Sequence, residues 1–147
     1  MMIRAPLLML WALLFIAACG APPADEDQIR RHLGAMANGL VERDADGVLA
    51  PLADDFIGRS GRFDRRAARL LLMREFNAHE RLRARLHGLS IDLSAANRAT
   101  ANFRVILTGG SGLIPSRGSW YEVTTGWRRE DGEWRLVSAS WENVVGP

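Results

Sequence analysis

Near residue 80 the apolar residues change from a helical spacing to a period of two, and that change decides what the chain can build. Upstream, Ile29, Leu33, Met36, Leu40 and Val41 recur at helical spacing, as do Ala68, Leu71, Leu72 and Phe76. Downstream, Leu82, Ala84 and Leu86 alternate with Arg81, Arg83 and Arg85. Past Gly88 the apolar positions become Leu89, Ile91 and Leu93, so even numbers give way to odd. A one-residue change in parity is what a β-bulge produces, and glycine permits it. One long, bent strand is therefore expected here. After a turn near Ala96-Asn97, Ala101, Phe103, Val105 and Leu107 form the next. Strands over 119–129 and 133–143 follow, joined at the hairpin signal Asp131-Gly132. Helices followed by a run of antiparallel strands define an α+β domain.

Local signals refine the first half. Asp25, Glu26 and Asp27 place negative charge where the first helix starts. Asp44 or Asp46 can cap a second short helix through Val48, Leu49 and Leu52, which Pro51 limits. Asp54-Asp55 reads as a solvated turn ending that helix. Phe56-Ile57-Gly58 and Arg62-Phe63 suggest a tiny hairpin around Ser60-Gly61, and Asp64 an N-cap for the third helix.

The amino end says where such a domain is found. Arg4 precedes an apolar run, Ala5 to Ala18, of 14 residues. That is too short for a membrane-spanning helix, which needs about 20. Ala17 and Ala18 then lead to Cys19, the single cysteine of the chain. An ordinary secretory signal ends in a similar small-residue pattern, but the cysteine at the junction resembles the lipobox of a bacterial lipoprotein signal. The resemblance implies that Cys19 is diacylated on sulfur and becomes the acylated amino terminus. The expected organisation is a signal peptide over 1–18, a lipidated tether over 19–24 and a domain over 25–145. Several acyl chains on one residue hold a protein to a bilayer stably. Gly20 rather than Asp after the cysteine implies the periplasmic face of the outer membrane, within the bacterial cell envelope.

Composition adds little about function. The formal charge is +2, and all 19 basic residues are arginine. Abundant alanine and glycine make a GC-rich codon bias the simplest source of that arginine. No nucleic-acid partner is expected.

The order helix, helix, hairpin, helix, four strands resembles the nuclear transport factor 2-like superfamily, also called SnoaL-like or cystatin-like cone folds. The resemblance covers about residues 25–143. Its most recognisable stretch runs Gly126-Trp127-Arg128-Arg129-Glu130-Asp131-Gly132-Glu133-Trp134-Arg135-Leu136. It implies a cone-shaped α+β barrel: three helices on a strongly bent, mostly antiparallel sheet of four long strands plus a short hairpin. It also implies a pocket on the concave face.

Counting outward from Glu130 opposite Glu133 puts Arg129 against Trp134 and Trp127 against Leu136. One face then carries Tyr121, Val123, Thr125, Trp127, Trp134, Leu136, Ser138, Ser140 and Glu142. This is the expected concave face, and Tyr121, Thr125, Trp127, Ser138, Ser140 and Glu142 are the candidate ligand contacts. The other carries Trp120 and Trp141, candidates for a sheet-to-sheet homodimer; cover by a neighbouring strand or by the 109–118 loop is the alternative. Arg128 opposite Arg135 makes that face wet near the turn, unless Gly132 is itself a bulge that shifts the register.

Chemistry is sparsely signalled. His32, His79 and His87 share no metal-ligand spacing, so no metal or other cofactor is expected. Ser111 lacks the surroundings of an activated nucleophile. In the superfamily that the chain resembles, isomerases and dehydratases pair a buried carboxylate or histidine with a tyrosine. Here Asp54 and Asp55 precede the small hairpin, and Tyr121 and Glu142 are expected to point inward, but Tyr121 is the only tyrosine and no histidine falls on the expected sheet face. The expected role is a lipid-anchored envelope protein that binds a small apolar or amphipathic ligand without catalysis. The alternatives are an interaction module of an envelope complex, or a small isomerase or dehydratase. The Arg81, Arg83, Arg85 row is either a contact for anionic lipid or a solvated face pairing with acids on adjacent strands.

Overall fold

The computed structural model describes residues 24–110 and 118–145. The expected signal peptide, Cys19, most of the tether and Ser111 lie outside these residues, as does most of the glycine-rich loop.

Three helices come first. Helix α1 spans Ala24–Glu42, with Asp25, Glu26 and Asp27 in its first turn. It ends at Arg43, whose φ of 60° reverses the backbone so that the Asp44 amide donates to the Gly39 carbonyl at 2.9 Å. Helix α2, Ala45–Leu49, is capped by the Asp44 carboxylate, which accepts from the Gly47 amide at 3.0 Å. Gly39 lets the two helices close, since a Cβ there would lie 2.8 Å from Val48 Cγ2. Helix α3, Arg65–Ala78, is capped by Asp64, which accepts from the Ala67 amide at 2.7 Å. At its other end the Arg43 guanidinium donates to the carbonyls of His79, at 2.7 Å, and Phe76. A cation there completes the unpaired carbonyls and complements the helix dipole.

The strands are β1 (Leu52–Gly58), β2 (Phe63–Asp64), β3 (Arg81–Ala95), β4 (Arg98–Gly110), β5 (Ser119–Glu130) and β6 (Glu133–Val145). They form one six-stranded sheet in the order β2-β1-β6-β5-β4-β3. All neighbours are antiparallel except β1 and β6, which run parallel. The small hairpin thus extends the main sheet rather than standing apart. Its first strand begins at Leu52, so Asp54 and Asp55 lie on a strand and not in a helix-ending turn.

The bulge expected at Gly88 is present. The β3–β4 register shifts between His87 and Ser90, and Gly88 has a φ of 64°. It keeps Leu86, Leu89, Ile91 and Leu93 all packed on the core. At the turn ends of the strands Ile29 and Leu33 of α1 meet Ala99, Ala101, Trp127, Trp134 and Leu136 in a fully buried cluster. Apolar burial of this kind is the main stabilising term of such a domain.

Candidate functional site

Two bulges in β6 decide which side chains face the helices. The hairpin register is the one counted from the sequence: Glu130 opposite Glu133, Arg129 opposite Trp134, Trp127 opposite Leu136. Beyond Leu136 it shifts, so that Gly126 faces Ser138, Thr125 faces Ala139, Val123 faces Trp141 and Tyr121 faces Asn143. The second shift lies between the Tyr121 and Trp120 pairings. Directly opposed residues share a face. Val137 is the extra residue of the first shift, and it inverts the faces from Ser138 to Asn143. The expected concave positions of Ser138, Ser140 and Glu142 are therefore corrected: all three lie on the outer face. Trp141, expected on the outer face, is concave.

Close contacts agree with this register. A Cβ on Gly126 would meet Ser138 Oγ at 2.4 Å. Trp141 packs edge-on against Phe63 of β2 with ring centroids 5.3 Å apart. Seven is an odd number, so Trp134 and Trp141 would point to opposite faces of an unbroken strand; the bulge brings both inward.

The concave face divides into two halves. Its closed half, beside the 131–132 turn, is filled. Trp127 is 1 % exposed, and its Nε1 donates to Thr125 Oγ1 at 2.9 Å. Thr125 Oγ1 donates in turn to the Ala101 carbonyl at 3.1 Å. Both candidate residues are thus tied into the core. The Trp134 indole donates to Asp25 at 2.9 Å and its backbone amide to Gln28 at 3.0 Å, which binds the start of α1 to the hairpin. His32 of α1 stacks on Trp127 at 6.0 Å and 16°. Its Nε2 is buried with no partner among the described residues. Burial holds the His32 pKa below the ordinary histidine value, an effect that Glu133 opposes and that Arg135 and Arg31 reinforce. His32 lies three residues after Ile29 and four before Met36, the spacing that turns it toward the core.

The open half lies toward the other end of the strands. Leu86, Phe103, Val105, Tyr121, Val123 and Trp141 are concave yet only half-buried. Leu86 and Phe103 touch the core as well, and the rest of this apolar and aromatic face is covered only in part, with one tyrosine hydroxyl on it. Arg59 closes one rim. It follows β1, its amide donates to the Ala139 carbonyl at 3.2 Å, and its guanidinium lies 5.2 Å above the Trp141 ring.

The outer face is polar at one end. Arg128 donates to both oxygens of Asp55, at 3.0 and 2.9 Å, and also to Glu130. Those two carboxylates raise the Arg128 pKa, and hydrogen bonding to Arg128 lowers that of Asp55. Arg135 turns away and donates to the Ala50 carbonyl at 3.1 Å. The Arg81, Arg83, Arg85 row is exposed, opposite Gly110, Thr108 and Ile106 rather than acids. Trp120 pairs with Ile106 on this face and is 39 % exposed. Among the described residues, no group of three or more His, Cys, Asp or Glu is placed to hold a metal.

Comparison with solved structures shows the class: the chain has the nuclear transport factor 2-like, cystatin-like cone fold. An NTF2-like protein of unknown function from Pseudomonas putida KT2440 is 21% identical, with a TM-score of 0.70 over 87% of this chain and 100% of that one. A cystatin-like protein of unknown function from Nostoc punctiforme PCC 73102 is 18% identical, with a TM-score of 0.67 over 83% of this chain and 92% of its own. The hexachlorocyclohexane dehydrochlorinase LinA-type3 from Novosphingobium barchaimii LL02 is 14% identical, with a TM-score of 0.70 over 83% of this chain and 88% of its own. No family model matches the sequence, and no curated protein matches it significantly.

Proposed function

We propose that this is a lipid-anchored bacterial envelope protein whose cone binds a small apolar or amphipathic molecule without transforming it. One observation carries the binding role: six apolar or aromatic side chains of the concave face stay half-buried although the helices are in place. Concave, largely apolar surface with few polar groups is what a small-molecule site offers. The acid–base reading loses support, because Glu142 faces outward and Tyr121 has Asn143 as its neighbour across the ladder. Dehydrochlorination is an activity of one structural relative, and fold alone does not transfer it.

Anchoring rests on the segment ending at Cys19. Ala24 begins α1 at the closed end, where Asp25 meets Trp134. The open half lies toward the far end of strands such as the 13-residue β4, up to roughly 40 Å away at about 3.3 Å per residue. A short tether from Cys19 then leaves the open half facing away from the membrane. A second reading, contact between the outer sheet faces of two copies, is favoured by exposed Trp120 beside Ile106.

Native mass spectrometry of the chain extracted from membranes tests the binding role. A retained small molecule, lost in Val123→Trp, is the expected result; a chain that carries nothing in both forms and binds no added amphiphile overturns it. Labelled palmitate incorporated into the wild type but not into Cys19→Ser tests the anchor.

A further inference from the structure

We propose that Arg59 is an anion clamp, and that the cone takes an amphiphile with a negatively charged head, such as a carboxylate. This rests on the ligand-binding reading above and names the class of ligand.

Three observations converge on Arg59. The first is the backbone conformation. Arg59 and Ser60 have φ values of 47° and 58°, followed by Gly61 at 88°, in the tight turn that joins β1 to β2. Here the Arg59 amide is held by the Ala139 carbonyl, which fixes where the side chain starts.

The second observation is the place of the guanidinium. It sits over the Trp141 ring, and Trp141 is itself braced by Phe63 and belongs to the uncovered half of the concave face. A guanidinium on an aromatic face still has N–H donors at its edge for a second partner. Apolar surface for a ligand's body therefore adjoins a positive charge for its head.

The third is that the charge is unmatched. No carboxylate among the described residues pairs with Arg59. The acids closest in sequence are engaged elsewhere, Asp55 with Arg128, Asp54 with Arg65 and Asp64 with the Ala67 amide. Glu142, one residue after Trp141, lies on the opposite face. A planar guanidinium beside an apolar surface is suited to two-pronged recognition of a carboxylate.

The full chain, incorporated in phosphatidylcholine vesicles, is titrated with octanoate and with octanol while tryptophan fluorescence is followed. Octanoate is expected to bind at least tenfold more tightly than octanol. Arg59→Met and Arg59→Gly are expected to bring octanoate down to the octanol level and to leave octanol unchanged. Glycine accepts a positive φ without strain, so the Arg59→Gly chain keeps the turn and separates loss of the clamp from loss of the fold. Equal affinity of the wild type for both probes, or octanoate binding unchanged in both variants, overturns the clamp while the binding role stands. No saturable response to either probe overturns both.

Discussion

Arg128 on β5 reaches across β6 to grip Asp55 on β1, donating to both carboxylate oxygens at 3.0 and 2.9 Å. The pair joins residues 73 apart in sequence and ties the first strand to the last hairpin on the outer face. It also explains how two arginines, Arg128 and Arg135, stand side by side in the ladder. One is neutralised by acids, and the other donates to a carbonyl.

This pair makes stability depend on pH in the acid range. Bonding to Arg128 lowers the Asp55 pKa, so the unfolded chain binds the proton more readily. The contribution is fully present above the ordinary carboxylate value of 3.8 and is lost as pH falls through the depressed folded value. The urea midpoint of the wild type is expected to fall more steeply below pH 4 than that of Asp55→Asn. Because the pair is exposed, 1 M salt should narrow the difference.

His32 acts in a higher pH window. Burial lowers its pKa from 6.5, so the folded state favours the neutral ring and protonation favours unfolding. Stability is present above pH 6.5 and declines as pH falls through the folded value. His32→Phe keeps a flat ring on Trp127 and should remove that slope below pH 6.5, as read by urea denaturation. A slope that persists in His32→Phe would assign it to other groups.

Thr125→Val removes the hydroxyl shared by the Trp127 indole and the Ala101 carbonyl. Two buried polar groups lose a partner, which costs about 1–3 kcal/mol. Chemical denaturation should show that loss with an unchanged m-value. A variant as stable as the wild type would mean that the hydroxyl ties nothing together.

Gly126 and Ser138 should couple. A Cβ on Gly126 would meet Ser138 Oγ at 2.4 Å, so Gly126→Ala is expected to cost about 0.5–1.5 kcal/mol through a displaced rotamer. Removing the oxygen with Ser138→Ala should restore most of it. A double-mutant cycle measures this directly. Additive effects would indicate that the two residues do not share a face.

The bulges at Gly88 and Val137 show why one part of the fold is legible in the sequence and another is not. At Gly88 the apolar parity changes within one strand, and a glycine stands where the backbone must turn. At Val137 the parity changes too, from Trp134 and Leu136 to Ala139 and Trp141. No glycine marks the spot. The glycine lies across the ladder at Gly126, where a missing Cβ makes room for Ser138. A strand read alone does not reveal which residue of its neighbour is small. Simple strand alternation therefore puts Ser138, Ser140, Glu142 and Trp141 on the wrong faces, although the hairpin register holds up to Leu136.

Local chemistry along the chain determined the elements: the caps at Asp44 and Asp64, the bulge at Gly88, the Asp131-Gly132 turn and the switch from helical to strand period. These follow from contacts between near neighbours, and such contacts are written in the order of residues. Only the tertiary structure decided that β1 joins the sheet beside β6, that His32 is stacked on Trp127, and that Arg59 sits on Trp141 with no ion-pair partner among the described residues. Each of those depends on side chains far apart in the chain, where spacing carries no record of who meets whom.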